Sequence, residues 1–225
     1  MSATASPRWL RRKDARPAEI LDAALELFVQ QGFERTRIED IARRAGVTGG
    51  VIYRYFASKE AVLESLIRDS LLGSLDEISD RLRQRNGRMS EIVGEALWSW
   101  WQLIGDGKLS GLCKLMVSEG DNFPELRDFY FEQAIEKRCG SLIDFFIRKG
   151  IAQGEFHVID VDYTVKIVRS SLLMTQIWKH SFAACEQEPL QMRRFFDAYA
   201  QLLLAGLNQQ QAHAAALPSP QGAQE

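Results

Sequence analysis

The chain has 225 residues, 46% hydrophobic and 26% charged, with a net charge of -2, which is enough material for a sizeable core in one or two domains. It has no run of about 18 apolar residues and no apolar leader, so neither a membrane span nor secretion is expected, and the chain is placed in the cytoplasm. Three separated cysteines (Cys113, Cys139, Cys185) and three scattered histidines (His157, His180, His213) suggest neither a disulfide framework nor a metal site, and no cofactor is expected.

Charge is unevenly spread along the chain. Residues 1–16 carry a net +4 and lack apolar periodicity, so they read as a flexible basic arm. Residues 1–60 hold 11 basic and 8 acidic side chains, net +3, which leaves -5 for the rest. A positive pole attracts phosphate, although charge alone fits a solvated basic tail equally well. Pro17 suits the first turn of a helix that runs to about Gln31 on a stripe of Ile20, Ala24, Leu27 and Phe28, with Gly32 ending it.

Two short helices follow. Ile38, Ile41, Ala42 and Ala45 recur at helical spacing behind Thr36, read as a cap. Gly46 stands where a left-handed stop is needed, and a second apolar set, Val51, Ile52, Tyr55 and Phe56, follows the cap Thr48. The layout is helix-turn-helix. Gly49 and Gly50 open the second helix with poor propensity but let another backbone approach closely. Ser58, Lys59 and Glu60 then start a fourth helix, with Val62, Leu63, Leu66 and Ile67 on one face, that reaches about Arg85.

From Met89 onward the period stays helical. Clusters at Arg85–Arg88, Gly105–Lys108, Gly120–Pro124, Gly150–Phe156 and Gln187–Pro189 cut it into about five more helices. No segment alternates as a strand does. The fold class is therefore all-α, with about nine helices: a helix-turn-helix domain over 17–60 and a larger helical domain over 61–211. Residues 212–225, rich in Ala, Pro and Gln, read as a disordered tail.

The series Phe33, Thr36, Arg37, Ile38, Asp40, Ile41, Ala42, Ala45, Gly46, Val47, Ile52, Tyr53, Tyr55, Phe56, Ser58, Lys59, Glu60 and Leu63 resembles the tetracycline-repressor (TetR) family over about 45 residues. The resemblance implies an all-helical homodimeric transcription regulator, usually a repressor. Its partners would be a double-stranded DNA operator and a small-molecule effector, with no membrane involved. Position by position, it places Thr36, Arg37, Thr48, Gly49, Tyr53, Tyr55 and Lys59 against the operator. The residue types agree, since tyrosine hydroxyls and a lysine can meet phosphates; Arg54 can reach phosphate or a guanine edge, and Val51 a thymine methyl. For Tyr55 a place in the domain core is an equal reading. Arg43 and Arg44 read rather as a solvated face. Position 49 is often basic in the family and 51 often Thr or Ala, so this chain has fewer polar base readers and the operator sequence is not predicted.

The later helices are rich in aromatic residues. Core packing explains most of them, but Trp98, Trp100 and Trp101 cannot all face one side of a helix. The pocket expected for an apolar or aromatic effector is lined by Trp98, Trp101, Met116, Phe129, Tyr130, Phe146, Met174 and Trp178. The last two helices are apolar on more than one face, which suits a two-fold four-helix interface through Val165, Val168, Leu172, Phe195, Tyr199 and Leu202; a buried monomeric core is the alternative. An enzyme is disfavoured, because no G-x-S-x-G elbow, P-loop, paired-His motif or G-x-G-x-x-G is present. A ligand-independent architectural or adaptor protein and a transcriptional activator remain open.

Overall fold

A computed structural model describes residues 8–208 except residue 159, with side chains from Arg16 onward. Among these residues there are nine helices and no strand. Helices α1 (Arg8–Gln31), α2 (Ile38–Arg44) and α3 (Gly49–Tyr55) form the N-terminal unit. Helix α4 is continuous through an α-helical start (Lys59–Ser65), a π-helical segment (Leu66–Leu71) and an α-helical end (Leu72–Arg83). Helix α5 (Met89–Trp100) also runs into a π-helical segment (Trp101–Gly105). After a 3-10 turn (Lys108–Ser110) come α6 (Gly111–Glu119) and α7, which passes from Pro124–Tyr130 through a π-helical Phe131–Gly140 to Ser141–Ala152. Helices α8 (Val161–Ser181) and α9 (Met192–Leu207) complete the bundle.

Helix α1 begins nine residues before Pro17, where a flexible arm through residue 16 is expected from the sequence. The stretch Arg8–Arg16 is mostly good helix formers, and this local preference outweighs the N–H that Pro17 withholds from the helix ladder. Residues 1–7, 209–211 and the expected tail 212–225 lie outside the described residues. Helix α4 starts on a true cap, Ser58 Oγ accepting from the Ala61 N–H at 3.2 Å, and α8 likewise on Asp160, which accepts from the Tyr163 N–H at 3.0 Å.

A single apolar cluster runs through both parts, from Ile20, Ala24 and Phe28 of α1 through Leu63, Ile67 and Ile78 of α4 to Phe196 and Leu207 of α9. Phe33, just past α1, is 1% exposed and lies between Phe28 and Phe123, with ring centroids at 5.0 and 4.9 Å. The N-terminal unit thus shares its core with the bundle, and α1 packs on α2, α4 and α6.

Candidate nucleic-acid interface and interior cavity

The turn between α2 and α3 is a Schellman stop. Gly46 has φ +65°, its N–H bonds to Arg43 O at 3.3 Å, and the Val47 N–H bonds back to Ala42 O at 2.9 Å. Only a residue without a Cβ adopts this conformation cheaply, and it turns the chain so that α3 crosses α2. Helix α3 buries Ile52, while Thr48, Gly50, Tyr53 (56% exposed) and Arg54 face outward. Gly49 and Gly50 have ordinary backbone angles, and a Cβ built on either meets nothing within 4 Å. Nothing inside the chain requires glycine at these two positions.

Three arginines of this unit, Arg35, Arg37 and Arg54, are exposed and form no ion pair among the described residues. Arg35, in the loop before α2, was not singled out by sequence, since one basic residue in a loop carries no pattern. Arg43 pairs with Asp40 at 3.2 Å, and Arg44 pairs with Glu26 of α1. Tyr55 is half-buried against the core, its ring 6.4 Å from that of Phe56. Val51 is also half-buried against the core.

One expected contact is corrected, and a second is given a structural role. Thr36 is 1% exposed; its hydroxyl donates to Gly32 O at 2.7 Å and accepts from Gln31 Nε2 at 3.2 Å, so it braces the end of α1 and cannot face DNA. The cap position of α2 belongs to Arg37, whose N–H donates to Asp40 Oδ2 at 3.3 Å. Lys59 donates to the carbonyls of Phe33 at 2.8 Å and Glu34 at 3.4 Å, and its ammonium sits 4.2 Å from the Phe33 ring centroid. It fastens the start of α4 to the chain just past α1.

The bundle holds an apolar cavity in two lobes, partly open to the outside. The main lobe, about 70 Å³, is walled by α4, α5, α7, α8 and α9, with Leu75, Ile78, Leu97, Phe146 and Leu172 among its lining residues. A smaller lobe of about 20 Å³ adjoins it through the shared walls Leu75, Trp100, Cys139 and Leu172. Of the residues expected to line a pocket, Phe146 borders the main lobe and Tyr130 the small one. Met116 is buried in the core, Phe129 borders an open groove beside α4, and Trp98 packs against Phe196. Trp101, Met174 and Trp178 line a different, outer groove between α8 and the start of α9. The tryptophan that reaches the cavity is Trp100, which composition could not distinguish from its two neighbours.

Comparison with known proteins agrees with this geometry. The family model described as "Bacterial regulatory proteins, tetR family" matches residues 20–66, the segment from α1 into α4. The HTH-type transcriptional regulator YfiR of Bacillus subtilis is 30% identical over 152 residues, 65% of this chain and 71% of that protein. The chain belongs to the TetR family. The HTH-type transcriptional repressor KstR2 of Mycolicibacterium smegmatis is 23% identical over 198 residues, 88% of this chain and 93% of the relative. The solved structure of the fatty acid degradation regulator FadR from Bacillus halodurans superposes with TM-score 0.70 at 21% identity, covering 87% of this chain and 97% of that one. As a TetR-family protein the chain is a ligand-responsive, DNA-binding transcriptional regulator and not an enzyme. No described helix is long and apolar enough to cross a membrane.

TetR-family regulators act as dimers, and the outer face of α8 and α9 shows which large apolar side chains are exposed. Val165, Val168 and Leu172, expected at an interface, point inward and are buried, Val168 and Leu172 in the cavity wall. The exposed stripe of α8 is one helical step round: Tyr163, Ile167 (65% exposed), Met174 and Trp178. On α9, Leu202 is 75% exposed, while Phe195 and Tyr199 are half-buried. Alternation between two apolar faces hid this phase in the sequence.

The DNA-reading unit meets the bundle at α6. A Cβ on Gly111 would lie 2.3 Å from Val29 Cγ2 of α1, so glycine is needed for the two helices to approach. Lys108 pairs with Glu26 at 2.9 Å beside that contact. On its other side, α6 is tied to α8: His180 Nε2 lies 2.7 Å from the Ser110 hydroxyl, which donates to Gly107 O, and Lys114 Nζ donates to His180 O at 2.7 Å. Burial, then the charges of Lys179 and Lys114, hold His180 below its ordinary value.

Proposed function

We propose that two copies pair through the exposed stripe of α8 and the Phe195, Tyr199 and Leu202 face of α9. This sets their α3 helices about 34 Å apart, one turn of DNA. Tyr53 and Arg54, with Thr48 at the helix start, then read one major groove per subunit, and Arg35 and Arg37 hold phosphates. The observation that carries this reading is the pair Gly49 and Gly50. A fold that gains nothing from two glycines at a helix start keeps them for a close approach from outside, and Arg54 and Tyr53 stand exposed on the same short helix.

The effector site is the two-lobed cavity. A cavity of about 150 Å³ accepts benzene, so the space present here is smaller than any plausible effector and must widen to take one. Widening moves α8, whose end is tied by His180 and Lys114 to α6, and α6 carries α1 and the reading unit. An effector that favours the widened form lowers operator affinity by its difference in affinity for the two forms, and repression is relieved.

The test begins by selecting bound fragments from genomic DNA with the purified protein. Arg54→Ala is expected to weaken binding to the selected fragment by about 1–3 kcal/mol while leaving binding to random DNA nearly unchanged at the same salt concentration. Equal losses on both would remove Arg54 from base reading.

A further inference from the structure

Beside the cavity read above as the effector site, in a residue that borders both lobes, lies one poorly matched polar group. The indole N–H of Trp100 is buried and meets no oxygen or nitrogen acceptor, only the sulfur of Cys139. Trp100 borders both lobes, as does Cys139. The Cys139 thiol interacts with the indole but is a weak acceptor, and burial pushes it up to about 12, so it stays protonated. A buried donor left unmatched weakens the fold unless something outside the chain supplies the acceptor.

Three further observations place a head group here. The π-helical segments of α4, α5 and α7 converge on the small lobe through Leu71, Ile104 and Ala134, and such segments are frequent at functional sites. Gln176, only 5% exposed, lines the same lobe, while the main lobe is walled almost wholly by hydrocarbon. Both arginines in the walls are already neutralised: Arg138 holds Asp76 through Nε–Oδ1 at 2.8 Å and Nη2–Oδ2 at 3.0 Å, and Arg169 is paired with Glu136. An incoming carboxylate would lose its water without gaining a free cation. A pure hydrocarbon would leave Trp100 as it is.

We propose that the effector is an apolar molecule with one uncharged acceptor, a carbonyl oxygen of the ketone or ester type, which accepts from Trp100 Nε1 while the hydrocarbon body fills the main lobe. The proposal rests on the cavity being the effector site.

Three ring compounds of similar size test it on the full-length, ¹⁵N-labelled protein: cyclohexanone, methylenecyclohexane and cyclohexanecarboxylate. The chain has five tryptophans, and the Trp100 indole resonance is identified by its loss in Trp100→Phe. Cyclohexanone is expected to shift that resonance downfield, and methylenecyclohexane to leave it in place. In Trp100→Phe the ratio of the two dissociation constants should move about tenfold in favour of the alkene, a comparison in which each ligand's own desolvation cancels. The carboxylate should bind at least about tenfold more weakly than the ketone.

An unmoved indole with ketone bound, an unchanged ratio in the variant, or a carboxylate that binds tightest would each overturn the head-group inference and leave the cavity reading standing. If none of the three binds, the cavity reading falls and takes the inference with it. Should Trp100→Phe not fold, the indole shift in the unaltered protein, identified through its backbone, decides alone.

Discussion

In the segment 37–55, the side chains that matter for recognition are those the fold does not use: Arg37, Tyr53 and Arg54 face outward, and Gly49 and Gly50 occupy open space. Around the cavity the reverse holds. Leu75, Leu97, Phe146 and Leu172 serve the core and the void with the same atoms, so no residue type there is out of place. A surface site is recognised by residues that folding would not choose. An interior apolar site is recognised only by a polar group left over, here the Trp100 N–H.

The contrast can be strained at its joint. Phe33 joins the N-terminal unit to the bundle, packed on Phe28 and Phe123 beneath Lys59, and Phe33→Ala is expected to cost about 3–5 kcal/mol in denaturant unfolding, in one transition. Two separate transitions would show that the regions fold independently. Gly111→Ala forces a methyl into Val29 and should cost about 1–3 kcal/mol, with a changed operator affinity although no DNA-facing residue is touched. Anisotropy measurements showing unaltered operator affinity would take α6 out of the coupling route.

The surface half is sharpened by Gly49→Ala. Thermal unfolding should show a gain of a few tenths to about 1 kcal/mol from better helix propensity, while operator affinity falls because the methyl stands where DNA approaches. A variant that is more stable and binds as well would leave the glycine without a role. The smallest effect concerns His180. Its lowered value means that stability is full above the ordinary histidine range and is lost as pH falls through the folded value. Replacing His180 with Gln should flatten the decline in unfolding temperature between pH 7 and 5, and an identical decline would assign it to other groups.

How much was legible follows from the same contrast. Gly46, the spacing Ile38–Ile41–Ala42 and the cap Ser58 each act within a few residues, so the reading unit and the start of α4 could be located from sequence. Thr36 misled because a threonine before a helix looks like a cap, and its burial depends on Gly32 and Gln31 of the preceding helix end. The bracing role of Lys59 was hidden for a similar reason, since its carbonyl partners lie 25 and 26 residues away. In α8 the period identified a helix with two apolar faces, but which face turned inward was set chiefly by α6 and α7. The choice of Trp100 over Trp98 and Trp101 likewise depends on how α5 is rotated against its neighbours.

The void in the bundle also has a mechanical side. An empty space inside a folded chain is volume that the unfolded chain does not carry, so compression favours loss of the fold in proportion to it. A molecule seated in the two lobes replaces that emptiness with matter, and the occupied regulator should resist hydrostatic pressure better than the empty one, whatever happens to its grip on DNA.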